Sequence, residues 1–144
     1  MLTVQKEVAQ RICARPGNMS LLALSVQVFG QPEIVAEISS EAFYPEPNVD
    51  SSVIRLELFS NPAIPAAQLD TFFRLAKAGF GQKRKTLRNS LSAGLSISGD
   101  EAEDLLEKSG IVAKRRAETL SVAEWATLSS CYDLSYSQQT PKKT

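Results

Sequence analysis

The chain has 144 residues, 43% hydrophobic and 22% charged, an ordinary globular composition with enough apolar material for one domain or two small lobes. Sixteen basic residues balance sixteen acidic ones, so net charge alone points to neither a nucleic-acid nor a membrane partner. Histidine is absent, and Cys13 and Cys131 have no metal or redox spacing, which argues against Ser-His-Asp, Cys-His and zinc-hydrolase chemistry and for a reducing compartment.

In chain order, LTVQ reads as a short strand, and KEVAQRICARPG places Val8, Ile12 and Cys13 on one helical face before the Pro16-Gly17 stop. No run reaches transmembrane length, and Glu7 stands where a signal peptide is apolar, so a cytoplasmic protein is expected. SLLALSVQVFG sets Leu21, Leu24, Ser25 and Val28 at helical spacing, with Gly30 as the expected closing residue. EIVAEIS and SSVIRLELF then alternate at the strand period, joined by a long connection over 39–51 between antiparallel neighbours. NPAIP at 61–65 is a Pro-rich break and the expected domain boundary. Beyond it everything reads as helix: an apolar stripe of Leu69, Phe72, Phe73 and Ala76; Leu87 and Leu91 with Gly94 as terminator; a helix capped by Ser98 or Asp100 and closed by Gly110; and a Ser121/Glu124 capping box. Cys13 and Trp125 read as packing residues, and SYSQQTPKKT as a polar, frayed tail.

Charge is unevenly spread. Residues 1–61 carry four bases against seven acids, whereas residues 62–144 carry twelve against nine. Between Thr71 and Gly99 stand Arg74, Lys77, Lys83, Arg84, Lys85 and Arg88 without a single acid. Arg84 and Arg88, four apart, would share one face of a helix and suit phosphate oxygens, a backbone-positioning mode. The competing reading is a solvated basic face paired with the acids of 100–107.

FYPEPNVDSSV at 43–53 holds Phe43 on a stiff turn, because Pro45 and Pro47 fix their own φ and push Tyr44 and Glu46 toward extended backbone. Such an aromatic is either a core plug at the end of a sheet or, with one ring face open, a platform for an unstacked base. Gln5, Lys6 and Glu7 follow the first strand, where ligands sit in open α/β sheets, although capping and salt-bridging roles compete for them.

Taken in order, LTVQKEVAQRI, FYPEPNVDSSVIRL, GFGQKRKTLRNSL and RAETLSVAEW resemble the bacterial small-subunit ribosomal RNA adenine dimethyltransferases over roughly residues 1 to 130. The chain is similar also to the erythromycin-resistance methyltransferases, which share the Phe-x-Pro-x-Pro-x-Val turn. The resemblance implies an α/β plus all-α architecture: the C-terminal part of a Rossmann-like methyltransferase sheet, about three strands with helices, over 1–61, a small helical RNA-binding domain over 62–135, and a flexible tail over 136–144. It implies S-adenosylmethionine as methyl donor for the parent enzyme, double methylation of the N6 atoms of two adjacent adenosines near the 3′ end of 16S rRNA, and the small ribosomal subunit as partner. By the same resemblance Phe43 lies against the flipped adenine, while Lys77, Lys83, Arg84, Lys85 and Arg88 form the rRNA-docking segment.

The sequence also departs from that family. It contains no Gly-rich loop opening a helix after a strand, since the lone GxG, Gly79-Phe80-Gly81, follows a helix, and it has no Asn-x-Pro-Tyr. The expectation is therefore a C-terminal portion that binds no S-adenosylmethionine and is not catalytic by itself. Strands at 2–5, 33–38 and 52–59 are expected, the last antiparallel between the others, leaving the edge of 2–5 open to self-association. The alternatives are a free-standing RNA-binding module that never did methyl chemistry, and an interaction protein whose basic face is only solvated.

Overall fold

A computed structural model of the chain describes residues 1–82 and 84–136. β1 (Leu2–Gln5) runs directly into α1 (Lys6–Ile12) with no intervening loop. α1 stops short of the expected Pro16-Gly17 signal, because the amides of Cys13 and Ala14 turn back onto Ala9 O and Arg11 O while Pro16 disfavours helical backbone before it. α2 (Leu21–Gln27) starts at Ser20, whose hydroxyl accepts from the amide of Ala23 at 3.1 Å.

Gly30 does not close α2. It opens β2 (Gly30–Ile38), where a Cβ would lie 2.7 Å from the carbonyl oxygen of Glu57 on the adjacent strand, so the residue is small because two backbones meet there. β3 (Ser51–Leu58) lies between β1 and β2 and is antiparallel to both, as expected, pairing Leu2 with Ile54 on one side and Ile34 with Ile54 on the other. A register shift between Ile34 and Ala36 bends β2. Within the sheet Ile54 and Ser52 are buried, while β1 is mostly exposed and pairs on one side only.

A short 3-10 turn (Ala66–Gln68) introduces α3 (Leu69–Phe80), followed by α4 (Leu87–Leu95), α5 (Gly99–Lys108), a second 3-10 turn (Ala117–Thr119) and α6 (Val122–Tyr136). Gly94 does not terminate α4, which runs on until Ser96 takes a left-handed conformation at φ 56°. A Cβ at Gly94 would sit 2.4 Å from that of Ala78, so the glycine lets α3 and α4 cross at close range. Gly79 plays the same part toward Trp125, whose Cη2 is 2.8 Å from the position of a Cβ there. Ser98, not Asp100, caps α5, accepting from the amide of Glu101 at 3.0 Å. Gly110, at φ +73°, closes that helix while Ile111 N–H returns to Leu106 O at 2.9 Å. The Ser121/Glu124 capping box forms in both directions, at 3.2 and 3.0 Å.

Phe72, Leu75, Leu87, Leu91, Leu105, Leu106, Trp125 and Leu128 form the helical core. Met19, Ala23, Leu24 and Val28 join the same buried cluster, so α2 packs with the helices that follow residue 61. The Pro-rich break is itself tied in: Ile64 is fully buried, and Ala63 N–H donates to Val28 O at 2.8 Å. Among the described residues no helix is long and apolar enough to cross a membrane. The expected tail beyond Tyr136 falls outside the described residues, and Tyr136 itself belongs to α6.

Candidate nucleic-acid interface

The turn between β2 and β3 is closed at its base by the Ile38–Ser51 pair. Inside it a 3-10 turn (Ser40–Ala42) starts from Ser39, whose hydroxyl accepts from Glu41 N–H, and the amide of Ser40 donates to Asp50 Oδ1 at 2.9 Å. Asp50 ties the turn to the start of α1 through Lys6 N–H, which donates to its carbonyl at 2.9 Å. Phe43 follows in extended backbone, φ −109° and ψ 151°, and the Tyr44-Pro45 peptide bond is cis. Phe43 is 38% exposed and Tyr44 fully so. Phe43 is therefore not buried as a core plug would be, and it sits on a turn fixed at both ends. Gln5 is the last residue of β1, not a residue after it, and caps nothing with its side chain, whereas Lys6 pairs with Glu37 at 3.9 Å, matching the salt-bridging reading.

The basic segment is arranged differently from the expected helical face. α3 ends at Phe80 and α4 begins at Leu87, so Arg84 and Lys85 stand in the intervening turn and Arg84 does not share a helix face with Arg88. Glycines at 79 and 81 weaken the end of α3, and Thr86 adopts the extended backbone that starts a new helix. Lys83 lies outside the described residues. Arg88 is engaged: its guanidinium contacts Asp100 Oδ1 and Glu103 Oε2, each at 3.2 Å, tying α4 to α5. For this residue the pairing with the acids of 100–107 is the one realised. Lys77, Arg84 and Lys85 are exposed and form no ion pair among the described residues.

A second basic stretch, Lys114-Arg115-Arg116, was not singled out in the sequence, where it reads as a mere loop between helices. Backbone hydrogen bonds from Leu87 to Arg115 O (2.8 Å) and from Arg88 to Ala113 O (3.3 Å) lay it beside the start of α4. The triplet KRR was the available signal, but its neighbourhood with Arg84 and Lys85 depends on tertiary pairing. Arg115 turns inward: it donates to both carboxylate oxygens of Glu124, to Thr119 O at 2.6 Å and to Thr119 Oγ1 at 3.2 Å. The hydrogen bond from Arg115 holds the Glu124 carboxyl below its ordinary value of 4.5, against the opposing effect of burial. This network fixes the loop from which Lys114 and Arg116 project, both exposed and without an ion pair among the described residues. No group of three His, Cys, Asp or Glu among the described residues could hold a metal ion.

Comparison with known proteins gives a consistent pattern. Residues 1–134 match the family described as ribosomal RNA adenine dimethylase. The protein named ribosomal RNA small subunit methyltransferase A from Dehalococcoides mccartyi is 43% identical over 132 residues, covering 92% of this chain and 45% of that protein. The protein of the same name from Clostridioides difficile is 42% identical over 132 residues, covering 90% and 46%. The chain thus spans less than half the length of these relatives. Among solved structures, a dimethyladenosine transferase from Plasmodium falciparum superposes with a TM-score of 0.74 at 22% identity, covering 92% of this chain and 56% of the other. The 23S rRNA methyltransferase ErmE superposes at 0.62 and 22% identity, covering 91% and 53%.

Proposed function

The chain belongs to the ribosomal RNA adenine dimethylase family, and from that premise we propose that it supplies the target-base turn and the RNA-docking surface of a small-subunit rRNA adenine dimethyltransferase. Its substrate is the 16S rRNA of the small ribosomal subunit, at two adjacent adenosines near the 3′ end whose N6 atoms receive methyl groups from S-adenosylmethionine. Residues 1–61 correspond to the last strands of a Rossmann-like sheet and residues 62–135 to a helical RNA-binding domain. The observation that carries this reading is Phe43, held exposed on a turn anchored through Asp50.

An adenine cannot present N6 to a methyl donor while stacked and paired, so it must leave its helix, and an aromatic contact returns about 1 to 3 kcal/mol of the stacking lost. A turn already ordered before the base arrives adds no ordering cost of its own. Lys77, Arg84 and Lys85, joined by Lys114 and Arg116, attract phosphates without reading sequence. Lys83 belongs to the same segment by sequence, and Arg88 contributes by holding α4 against α5.

The residues of this chain do not fit the methyl donor. Its one direct strand-to-helix junction among the described residues, Gln5–Lys6, has no glycine and no loop in which backbone amides could wrap a ligand. Their part in the reaction is confined to holding base and RNA. Calorimetry with S-adenosylmethionine is expected to show no specific heat, and micromolar binding would overturn this point. The free side of β1 belongs to the same reading, as an edge that pairs with a second copy of the chain. A clean monomer in sedimentation at high micromolar concentration would remove that pairing.

The main test uses an RNA of the small-subunit 3′ end with 2-aminopurine at one target adenosine. Binding should weaken with salt at a logarithmic slope of roughly −3, as for about four phosphate contacts to single strands. The 2-aminopurine emission should change on binding, and Phe43→Ala should abolish that change. Salt-dependent binding with no emission change would reduce the chain to a backbone-binding module and sink the target-base role.

A further inference from the structure

A cleft of about 550 Å³ lies between α1, the loop before α2, the end of α3 and the 3-10 turn at 117–119. Met19, Leu21 and Phe80 supply its apolar walls, and Glu7, Arg11, Asn18 and Glu118 its polar rim. Those four polar side chains make no hydrogen bond or ion pair with other described residues. Glu7 and Arg11 stand four apart on α1, where opposite charges commonly pair, yet no ion pair forms between them. The walls are nonetheless fixed: the carbonyl of Glu118 accepts from Gly17 N–H at 2.8 Å and from Met19 N–H at 3.2 Å, clasping the two sides together.

Position adds a second line of argument. Glu7 is one residue from Lys6, whose amide anchors the Phe43 turn, and Ala117 directly follows the exposed Arg116 of the basic loop. Two walls of the cleft are thus continuous along the chain with the anchor of the Phe43 turn and with the exposed basic loop.

We propose that this cleft receives an unstacked guanine nucleotide of the RNA, read by Glu118 together with Arg11. The chemistry selects this base. Carboxylates only accept hydrogen bonds, and guanine presents two adjacent donors, N1–H and the N2 amino group, on its Watson–Crick edge, while its O6 and N7 accept from a guanidinium. Adenine has only its N6 amino group to donate, with the N1 acceptor beside it, so a carboxylate that takes two hydrogen bonds from guanine takes one from adenine. The same carboxylates keep a phosphate out of the cleft and leave it to Arg116 and Lys114 at the rim. Apolar walls of methionine, leucine and phenylalanine match the faces of a planar base extruded from its stack.

This inference deepens the rRNA reading, and its test is chosen so that the two can fail separately. The 144-residue chain is titrated with 5′-GMP and 5′-AMP while amide signals of Met19, Gly79 and Ala117 and the indole signal of Trp125 are followed by NMR. GMP should shift these signals with an affinity at least roughly tenfold above that for AMP, the scale of one bidentate base contact. Glu118→Gln should level the two nucleotides, and Arg11→Met, which leaves the carboxylates in place, should weaken GMP alone. Equal responses to GMP and AMP, no response at the cleft, or a preference surviving in both variants would overturn the proposal. Binding of GMP in a chain that shows no salt-dependent RNA binding would leave this site standing and sink the rRNA reading instead.

Discussion

The sheet half and the helical half of this protein are built on opposite terms. Helices α3 to α6 close around Trp125, Phe72 and a set of fully buried leucines, whereas the three strands contribute Ile54 as their buried apolar residue and leave β1 open along one side. The proposed roles divide along the same line. Phe43 rides on the thinly packed half, and the exposed cations project from loops braced by the dense half. Precise placement of the aromatic ring thus depends on backbone hydrogen bonds and turn chemistry, and placement of the cations on a core.

That contrast is most open to attack at Trp125. Trp125→Ala should cost about 3 to 5 kcal/mol in denaturant unfolding, because the ring is fully buried against Phe72, Phe80 and Gly79. A loss below about 1 kcal/mol would mean that the helical half does not owe its stability to that core. Gly94→Val comes next, at about 1 to 3 kcal/mol, since any side chain there must push α4 off Ala78.

Glu124→Ala is expected to cost about 1 to 2 kcal/mol near neutral pH by removing a cap and the partner of Arg115. Its pH dependence has a defined sign. The folded carboxyl titrates below its ordinary value of 4.5, so its contribution is present above that pH and is lost as pH falls through the folded value. Stability of the variant should therefore decline less on acidification than that of the parent chain. Equal acid sensitivity would show that the pair does not brace the loop.

The smallest stability effect, within about 0.5 kcal/mol, is expected for Arg84→Ala combined with Lys85→Ala, both exposed and without an ion pair among the described residues. The same double change should flatten the salt slope of RNA binding by roughly 1.4, whereas Arg88→Ala should act mainly on stability, by up to about 1 kcal/mol. If Arg88→Ala flattened the slope as much as the double variant, its pairing with Asp100 and Glu103 would not persist in solution.

Much of this was open to a reader of the sequence because it depends on short-range chemistry. Period-two patterns marked β2 and β3, the β-prone LTVQ marked β1, helical patterns marked six helices, Ser121 with Glu124 wrote out a capping box, and two prolines announced a rigid turn. Glycines were where local reading failed: Gly30 and Gly94 looked like helix terminators, but both are small because another backbone or side chain approaches within van der Waals distance. The basic face failed for a related reason, since helical spacing from Arg84 to Arg88 assumes an unbroken helix and the chain turns between them.

By itself the sequence determined the elements, their caps, the stiffness of the Phe43 turn and the family to which the chain belongs, all properties of residues close together along the backbone. Tertiary structure alone decided that Phe43 is exposed, that Arg88 is neutralised while Lys114 and Arg116 join Arg84 and Lys85, and that α1 and the 117–119 turn enclose a cleft. Those outcomes depend on which distant segments meet, and contacts between segments a hundred residues apart, such as Gly17 with Glu118, leave no period in the chain to be read.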